Sequence, residues 1–228
     1  MCKRLAADGN KVVANYLPAY DKKDEWLASM RAQGYEVHAA EGNVEKFDSC
    51  ADMFYRILAI LGPVDILVNN AGITRDGVFK RMSKSDWYDV INTNLNSMFN
   101  VTRQVVEGMT ERGWGRIINV SSVNALKGQF GQTNYSAAKA GMHGFSKALA
   151  QELVRKGVTV NTISPGYVAT DMVMAIRPDV RDQIVAAIPM GRLARPEEIA
   201  GLVAYLASDD AGYITGANIS INGGLHMG

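Results

Sequence analysis

The sequence predicts an α/β fold, a doubly wound parallel sheet in a single domain, and three observations carry that prediction. Short apolar runs, continuous rather than alternating, read as strands covered on both faces. Stretches of helical composition separate them, as crossover connections between parallel strands require. The chain has 228 residues, 47% of them hydrophobic, which suffices for one full core, and no repeat, low-complexity tract or linker divides it.

Each element has its own signal. Lys11-Val12-Val13-Ala14-Asn15 and Glu36-Val37-His38-Ala39-Ala40 read as short buried strands, and between them residues 21–33 read as a helix stopped at Gly34. Residues 46–61 form a second helix, ended by Gly62-Pro63. Val64-Asp65-Ile66-Leu67-Val68-Asn69 is then a β-branched run too short for a helix. One long helix is expected over about residues 86–112, followed by the strand Arg116-Ile117-Ile118-Asn119-Val120 and a helix over about residues 134–156. Val158-Thr159-Val160-Asn161-Thr162-Ile163 is again strand-like. Pro196-Glu197-Glu198 opens a last helix, with Pro in the first turn and acids at the positive end of its dipole. Asn218-Ile219-Ser220-Ile221 closes the sheet.

Composition excludes several functions. A formal net charge of +1 builds no field for nucleic acid or an anionic membrane. Cys2 and Cys50 lie far from any His/Cys cluster, so they read as small buried hydrophobes and no metal site is expected. No apolar run reaches the ~18 residues of a spanning helix. The N-terminus lacks an apolar signal segment, so a cytoplasmic protein is expected.

The chemistry concentrates at the ends of the predicted strands. Tyr135 and Lys139 are four residues apart, on one helix face in adjacent turns. An ammonium near a phenol favours the phenolate and lowers a pKa that starts near ~10, giving a proton donor usable at neutral pH. That spacing also occurs by chance on amphipathic helices. Ser121-Ser122, at the end of the Arg116–Val120 strand, changes the odds. Asn69-Asn70-Ala71-Gly72 and Ser164-Pro165-Gly166-Tyr167 each follow a strand directly. Each is ordinary turn chemistry taken alone. In open α/β sheets, however, ligands bind at the carboxyl ends of strands, and three such ends converge on one crevice.

With Asn94 in Asn92-Thr93-Asn94-Leu95 and Thr170 beyond Gly166, these motifs resemble the short-chain dehydrogenase/reductase family along essentially the whole chain. The resemblance implies a Rossmann-like fold and a hydride-transfer enzyme. Within the family the chain is most similar to NADPH-dependent acetoacetyl-CoA reductases, with 3-oxoacyl-carrier-protein reductases next. The segments that carry the former likeness are Gly113-Trp114-Gly115-Arg116, residues 127–135 and the terminal Asn222-Gly223-Gly224-Leu225-His226-Met227-Gly228.

The resemblance implies roles. Tyr135 protonates the carbonyl oxygen, Lys139 lowers the tyrosine pKa and binds the nicotinamide ribose, and Ser122 holds the substrate oxygen. Asn94 interrupts its helix and holds a water for proton relay. Asn43 and Val44 flank the adenine, Asn70, Ala71 and Gly72 lie along the cofactor, and Pro165, Gly166 and Thr170 meet its nicotinamide end. Gln129, Phe130, Gln132 and Tyr167 match substrate-pocket positions. No acid ends the strand before Asn15-Tyr16, and Lys22 and Lys23 stand where relatives bind a 2′-phosphate, so NADPH is expected over NADH. The alternative for either lysine is a solvated charge at a helix start. The product is an (R)-3-hydroxyacyl thioester, and a homotetramer is implied.

The family opens with a central strand and a Thr-Gly-x-x-x-Gly-x-Gly loop that holds the cofactor pyrophosphate at a helix N-terminus. This sequence contains neither; Met1 to Gly9 reads as the second half of the helix after that loop, about eighteen residues in. The expected sheet therefore lacks its first strand, between the strands at Val12 and Ile66, and an N-terminally shortened chain with little reductase activity is expected. Three readings stay open: an acetoacetyl-CoA reductase, a 3-oxoacyl-carrier-protein reductase, and an inactive remnant. Lys156 is basic where carrier-docking relatives are basic and Gly113 is not, which leans against the carrier protein.

Overall fold

The computed structural model describes the backbone of residues 1–228 and every side chain except that of Met172. It opens with α1 (Cys2–Ala7), β1 (Val12–Tyr16), α2 (Lys23–Ala32), β2 (Val37–Glu41), α3 (Phe47–Leu61) and β3 (Ile66–Asn69). Then come α4 (Lys84–Ile91), α5 (Ser97–Thr102), α6 (Val106–Arg112) and β4 (Gly115–Val120). The rest is α7 (Asn124–Lys127), α8 (Thr133–Leu153), β5 (Val158–Pro165), α9 (Asp171–Met174), α10 (Pro178–Ala187), α11 (Pro196–Ala207) and β6 (Asn218–Ile221).

All strand pairs are parallel, as the apolar runs predict. β3, β4, β5 and β6 form one sheet in that order, with Ile117 opposite Leu67 on one side and Val160 on the other. Alternation along β4 splits the core into two layers. Ile117 joins Leu67, Val101, Met109, Leu153 and Val160 beneath α3, α5, α6 and α8. Ile118 joins Ile163, Ile199, Val203 and Leu206 beneath α11. Every residue of β5 is buried, the polar Thr159, Asn161, Thr162 and Ser164 among them, as a central strand covered on both faces requires.

β1 and β2 form a separate two-stranded sheet, and among the described residues no ladder joins β1 to β3. The two sheets are tied instead by α1 and by Phe54 of α3, which packs against both cores. Leu5 packs both with Val12, Met30 and Val37 and with the α11 side of the larger sheet.

The single helix expected over 86–112 is broken. Ser83 caps α4 through a reciprocal pair with Asp86, two residues before the expected start. A π-turn at Asn92–Asn96 then widens the helix, and α5 and α6 follow as separate pieces. α7, α9 and α10 have no apolar periodicity long enough to have been read from sequence. At the lower end of the sheet, Gly113 and Gly157 both take left-handed backbone, φ +69 and +74. A Cβ on Gly157 would stand 2.0 Å from the Gly113 carbonyl oxygen, so glycine is obligatory where these two helix ends meet.

Candidate active site

The site lies at the carboxyl ends of β3, β4 and β5. α8 presents Tyr135 and Lys139 on one face, with the Lys139 ammonium 5.7 Å from the centre of the Tyr135 ring. Lys139 is 3% exposed, and its Nζ donates to the Val120 carbonyl at 2.7 Å. Burial lowers its pKa to about 8. Ser122, buried just past β4, hydrogen-bonds the Tyr135 phenol and accepts from the Asn124 amide at 3.1 Å.

The tyrosine departs from expectation. Its pKa is raised, not lowered: burial disfavours the phenolate, the Ser122 hydrogen bond pulls the other way, and the Asp76 carboxylate pushes it up again. The Lys139 ammonium, itself desolvated, donates to the Val120 carbonyl.

Asn94 sits fully buried inside the π-turn. Its side chain accepts from the Ile73 N–H at 2.8 Å and donates to the Ile73 carbonyl at 2.9 Å, which fastens the β3–α4 loop to the helix. Widened turns of this kind concentrate at functional sites. Gly72 closes the group: a Cβ there would stand 3.3 Å from Asn94 Oδ1 and 3.4 Å from Lys139 Nζ. Asn70, Ala71 and Gly72 are exposed, leaving this stretch of backbone open to a ligand. Behind them Asn69 donates to Asn119 Oδ1 at 2.9 Å, locking the ends of β3 and β4 together.

Beyond β5, the Pro165 carbonyl accepts from the Val123 N–H at 2.8 Å, so the Ser122 and Pro165 loops are joined. Gly166 is pressed on Asn222, whose Cα would lie 2.9 Å from an added Cβ. Thr170 is exposed at the start of α9. A cavity of about 550 Å³ opens here, lined by Gly166, Tyr167, Ile188, Met190, Ile221 and Met227 among others.

The four substrate-pocket residues are not equally placed. Gln132 is held between two partners, donating to Asp76 Oδ2 at 2.9 Å and accepting from Asn124 Nδ2 at 2.9 Å. Tyr167 is half-buried, and burial followed by Asp76 raises its pKa. Gln129 bonds only outward, to Lys127, and Phe130 is 87% exposed. Asp76 and Asn124 were not singled out from sequence, since neither stands at a strand end nor repeats a spacing. Asn124 is buried, and its Oδ1 has no partner.

The expected adenine-side residues scatter. Val44 has its side chain in the core, with its carbonyl taken by Asn100 at 3.0 Å, so only backbone there can face a ligand. Asn43 turns its side chain to the Glu45 N–H. Lys23 lies over the Tyr16 ring and pairs with Asp24 at 3.1 Å, while Lys22 caps α2.

Comparison with known proteins agrees with this geometry. A family model described as enoyl-(acyl carrier protein) reductase matches residues 1–226. An acetoacetyl-CoA reductase of Cupriavidus necator is 59% identical over 228 residues, all of this chain and 93% of that protein. Nodulation protein G of Azospirillum brasilense is 61% identical over 226 residues, 99% of this chain and 92% of that one. A 3-oxoacyl-[acyl-carrier-protein] reductase FabG of Staphylococcus epidermidis is 42% identical over 224 residues, 98% and 92% of the two chains. With a parallel sheet, a Ser122–Tyr135–Lys139 cluster and a full-length family match, the chain belongs to the short-chain dehydrogenase/reductase family.

Proposed function

We propose that this protein reduces acetoacetyl-CoA to (R)-3-hydroxybutyryl-CoA with NADPH, the reductive step toward a short-chain polyester. One observation carries the reading: a phenol, a hydroxyl and a buried ammonium meet beside the carboxyl end of β4. The acetoacetyl-CoA reductases at 58–59% identity support the substrate, and the FabG relative is more distant at 42%.

The residues fit the nicotinamide half of such a cofactor. Gly72 leaves only the room that Asn94 and Lys139 need, and the exposed backbone of Asn70 to Gly72 is free to meet a ribose. Pro165, Gly166 and Thr170 would border the ring. When bound, the nicotinamide supplies hydride to the ketone carbon. Ser122 and Tyr135 hold the carbonyl oxygen, where negative charge develops. Tyr135 passes its proton to that oxygen, and the Lys139 ammonium stabilises the phenolate left behind. The π-turn at Asn94 interrupts the helical bonding, which suits a water that returns the proton. Lys22 and Lys23 favour NADPH, with no acid at Asn15-Tyr16 to hold a ribose hydroxyl. A homotetramer suits the exposed Phe47–Phe99 stack on α3 and α5 and the weakly charged end after Ile219, and light scattering measures it.

Titrating the protein with NADPH by calorimetry tests cofactor binding. Comparing kcat/KM for acetoacetyl-CoA and for acetoacetyl-carrier protein then tests the substrate. A preference for the carrier-bound thioester overturns it.

A further inference from the structure

We infer that His143 is a positioning residue of this active site: its ring clips the helix turn that carries Lys139 to the two strand ends that carry Ser122 and Pro165. The inference rests on the reductase reading for its kinetic consequences, though not for its geometry.

His143 lies one turn beyond Lys139 and two beyond Tyr135, on the same face of α8. Its Nε2 is 3.0 Å from Ser121 Oγ and 3.5 Å from Ser164 Oγ. Both serines are buried, at 4% and 0% exposure, and each precedes a residue of the site, Ser122 and Pro165.

A count of hydrogens fixes the direction of these bonds. A hydroxyl has one proton to donate. The Ser121 hydroxyl gives its proton to the Lys139 carbonyl at 2.8 Å, and the Ser164 hydroxyl gives its own to Asn218 Oδ1 at 2.7 Å. Toward His143 both oxygens can only accept. Nε2 must therefore carry the hydrogen, and it donates a forked bond to two strand ends at once. The ring is thereby held as one tautomer, with Nδ1 unprotonated. Burial and the nearby Lys147 ammonium disfavour the imidazolium, which agrees with a neutral ring.

The clip acts at two strand ends. Through Ser121 it grips the backbone of Lys139 itself, and through Ser164 it reaches β5 and, by Asn218, β6. Ser121 also donates its N–H to the Ile163 carbonyl at 2.8 Å, so β4 and β5 are already in register when the ring fastens α8 onto them. Tyr135 and Ser122 come from different elements, and small misplacements of reacting groups are costly.

Two measurements test this. In two-bond proton–nitrogen correlation spectra of the 15N-labelled protein at neutral pH, His143 should show the Nε2–H tautomer. A Nδ1–H tautomer or an imidazolium would overturn the inference, whatever the substrate proves to be. In steady-state reduction of acetoacetyl-CoA, His143→Ala should lower kcat on the order of ten- to a hundred-fold with little change in KM for NADPH. His143→Gln, whose amide N–H can reach the same hydroxyls, should recover most of that loss. Ser121→Ala combined with His143→Ala should cost little more than the worse single change. Wild-type turnover in His143→Ala, or a Gln variant as slow as the Ala variant, contradicts the role. If His143→Ala does not fold, the tautomer and the Gln variant decide.

Discussion

Lys139 and Tyr135 are the residues whose protonation we propose governs this site, and burial drives their pKa values apart. A lysine ammonium ordinarily titrates near ~10.4; burial brings that of Lys139 to about 8, while the Tyr135 phenol is pushed upward by burial and by Asp76. Below about pH 8 the ammonium is charged and can stabilise a phenolate. Above it the charge is lost, while Tyr135 stays protonated. The alkaline limb of kcat/KM in the reductive direction is therefore assigned to Lys139, and the rate should fall as pH rises through about 8. A profile still flat well above that point contradicts the assignment. Ser122, Tyr135 and Lys139 were legible in sequence because a four-residue spacing and a strand end fix which face a side chain takes. The direction of the tyrosine shift was not. It depends first on how deeply the phenol is buried and then on Asp76, which joins the site through Gln132 from a loop far away in sequence.

Among the elements, β4 and the π-turn do the most to position the site, and they were read with different success. β4 and β5 are strong signals because their buried β-branched residues, Ile117, Ile118, Val158, Val160 and Ile163, fit a strand covered on both faces. The π-turn has no such signal. It replaces one α-helical turn by a wider one around Asn94, and its cause is the tertiary pair of bonds to Ile73, not local propensity. The segment Gly113-Trp114-Gly115-Arg116, part of the likeness to acetoacetyl-CoA reductases, lies at the opposite end of β4 from Ser122. There Arg116, 5% exposed, stacks 4.3 Å above the Trp114 ring and donates to the Ser208 carbonyl at 3.2 Å, while the indole N–H donates to Asp209 at 3.1 Å. Asp209 is exposed, so its ion pair with Arg116 counts for little. The buried cation stacked on the indole counts for more, and Trp114→Leu should cost about 1–3 kcal/mol in chemical denaturation. It should leave kcat of the folded protein unchanged. A large loss of kcat without loss of stability would place this segment in the catalytic machinery instead.

At the scale of the molecule, the division between the two sheets is the main weakness. The larger sheet is closed by ladders from β3 to β6 and by two core layers, while β1 and β2 hold to it through α1 and side-chain packing. Units with fewer shared contacts open at lower free energy than the global transition. Backbone amides of β1 and β2 should exchange faster than those of β4 and β5 under native conditions. Equal protection across both sheets contradicts a separate opening unit. The alternation of strands and helices, legible from the apolar runs, gave the parallel order correctly, but the pairing partner of each strand edge depends on contacts distant in sequence. Tyr135, in its Ser122–Lys139 setting, is the proton donor we propose for a 3-oxoacyl thioester reduction, and this role is the one most open to test. It is tested most directly by following NADPH oxidation and 3-hydroxybutyryl-CoA formation with the wild-type protein and with Tyr135→Phe, both shown to be folded. Equal amounts of cofactor and thioester should be consumed by the wild type, and kcat should fall ~10²–10⁴-fold in the variant. Turnover in Tyr135→Phe matching the wild type, or a wild-type protein that binds NADPH and leaves acetoacetyl-CoA unchanged, would contradict it.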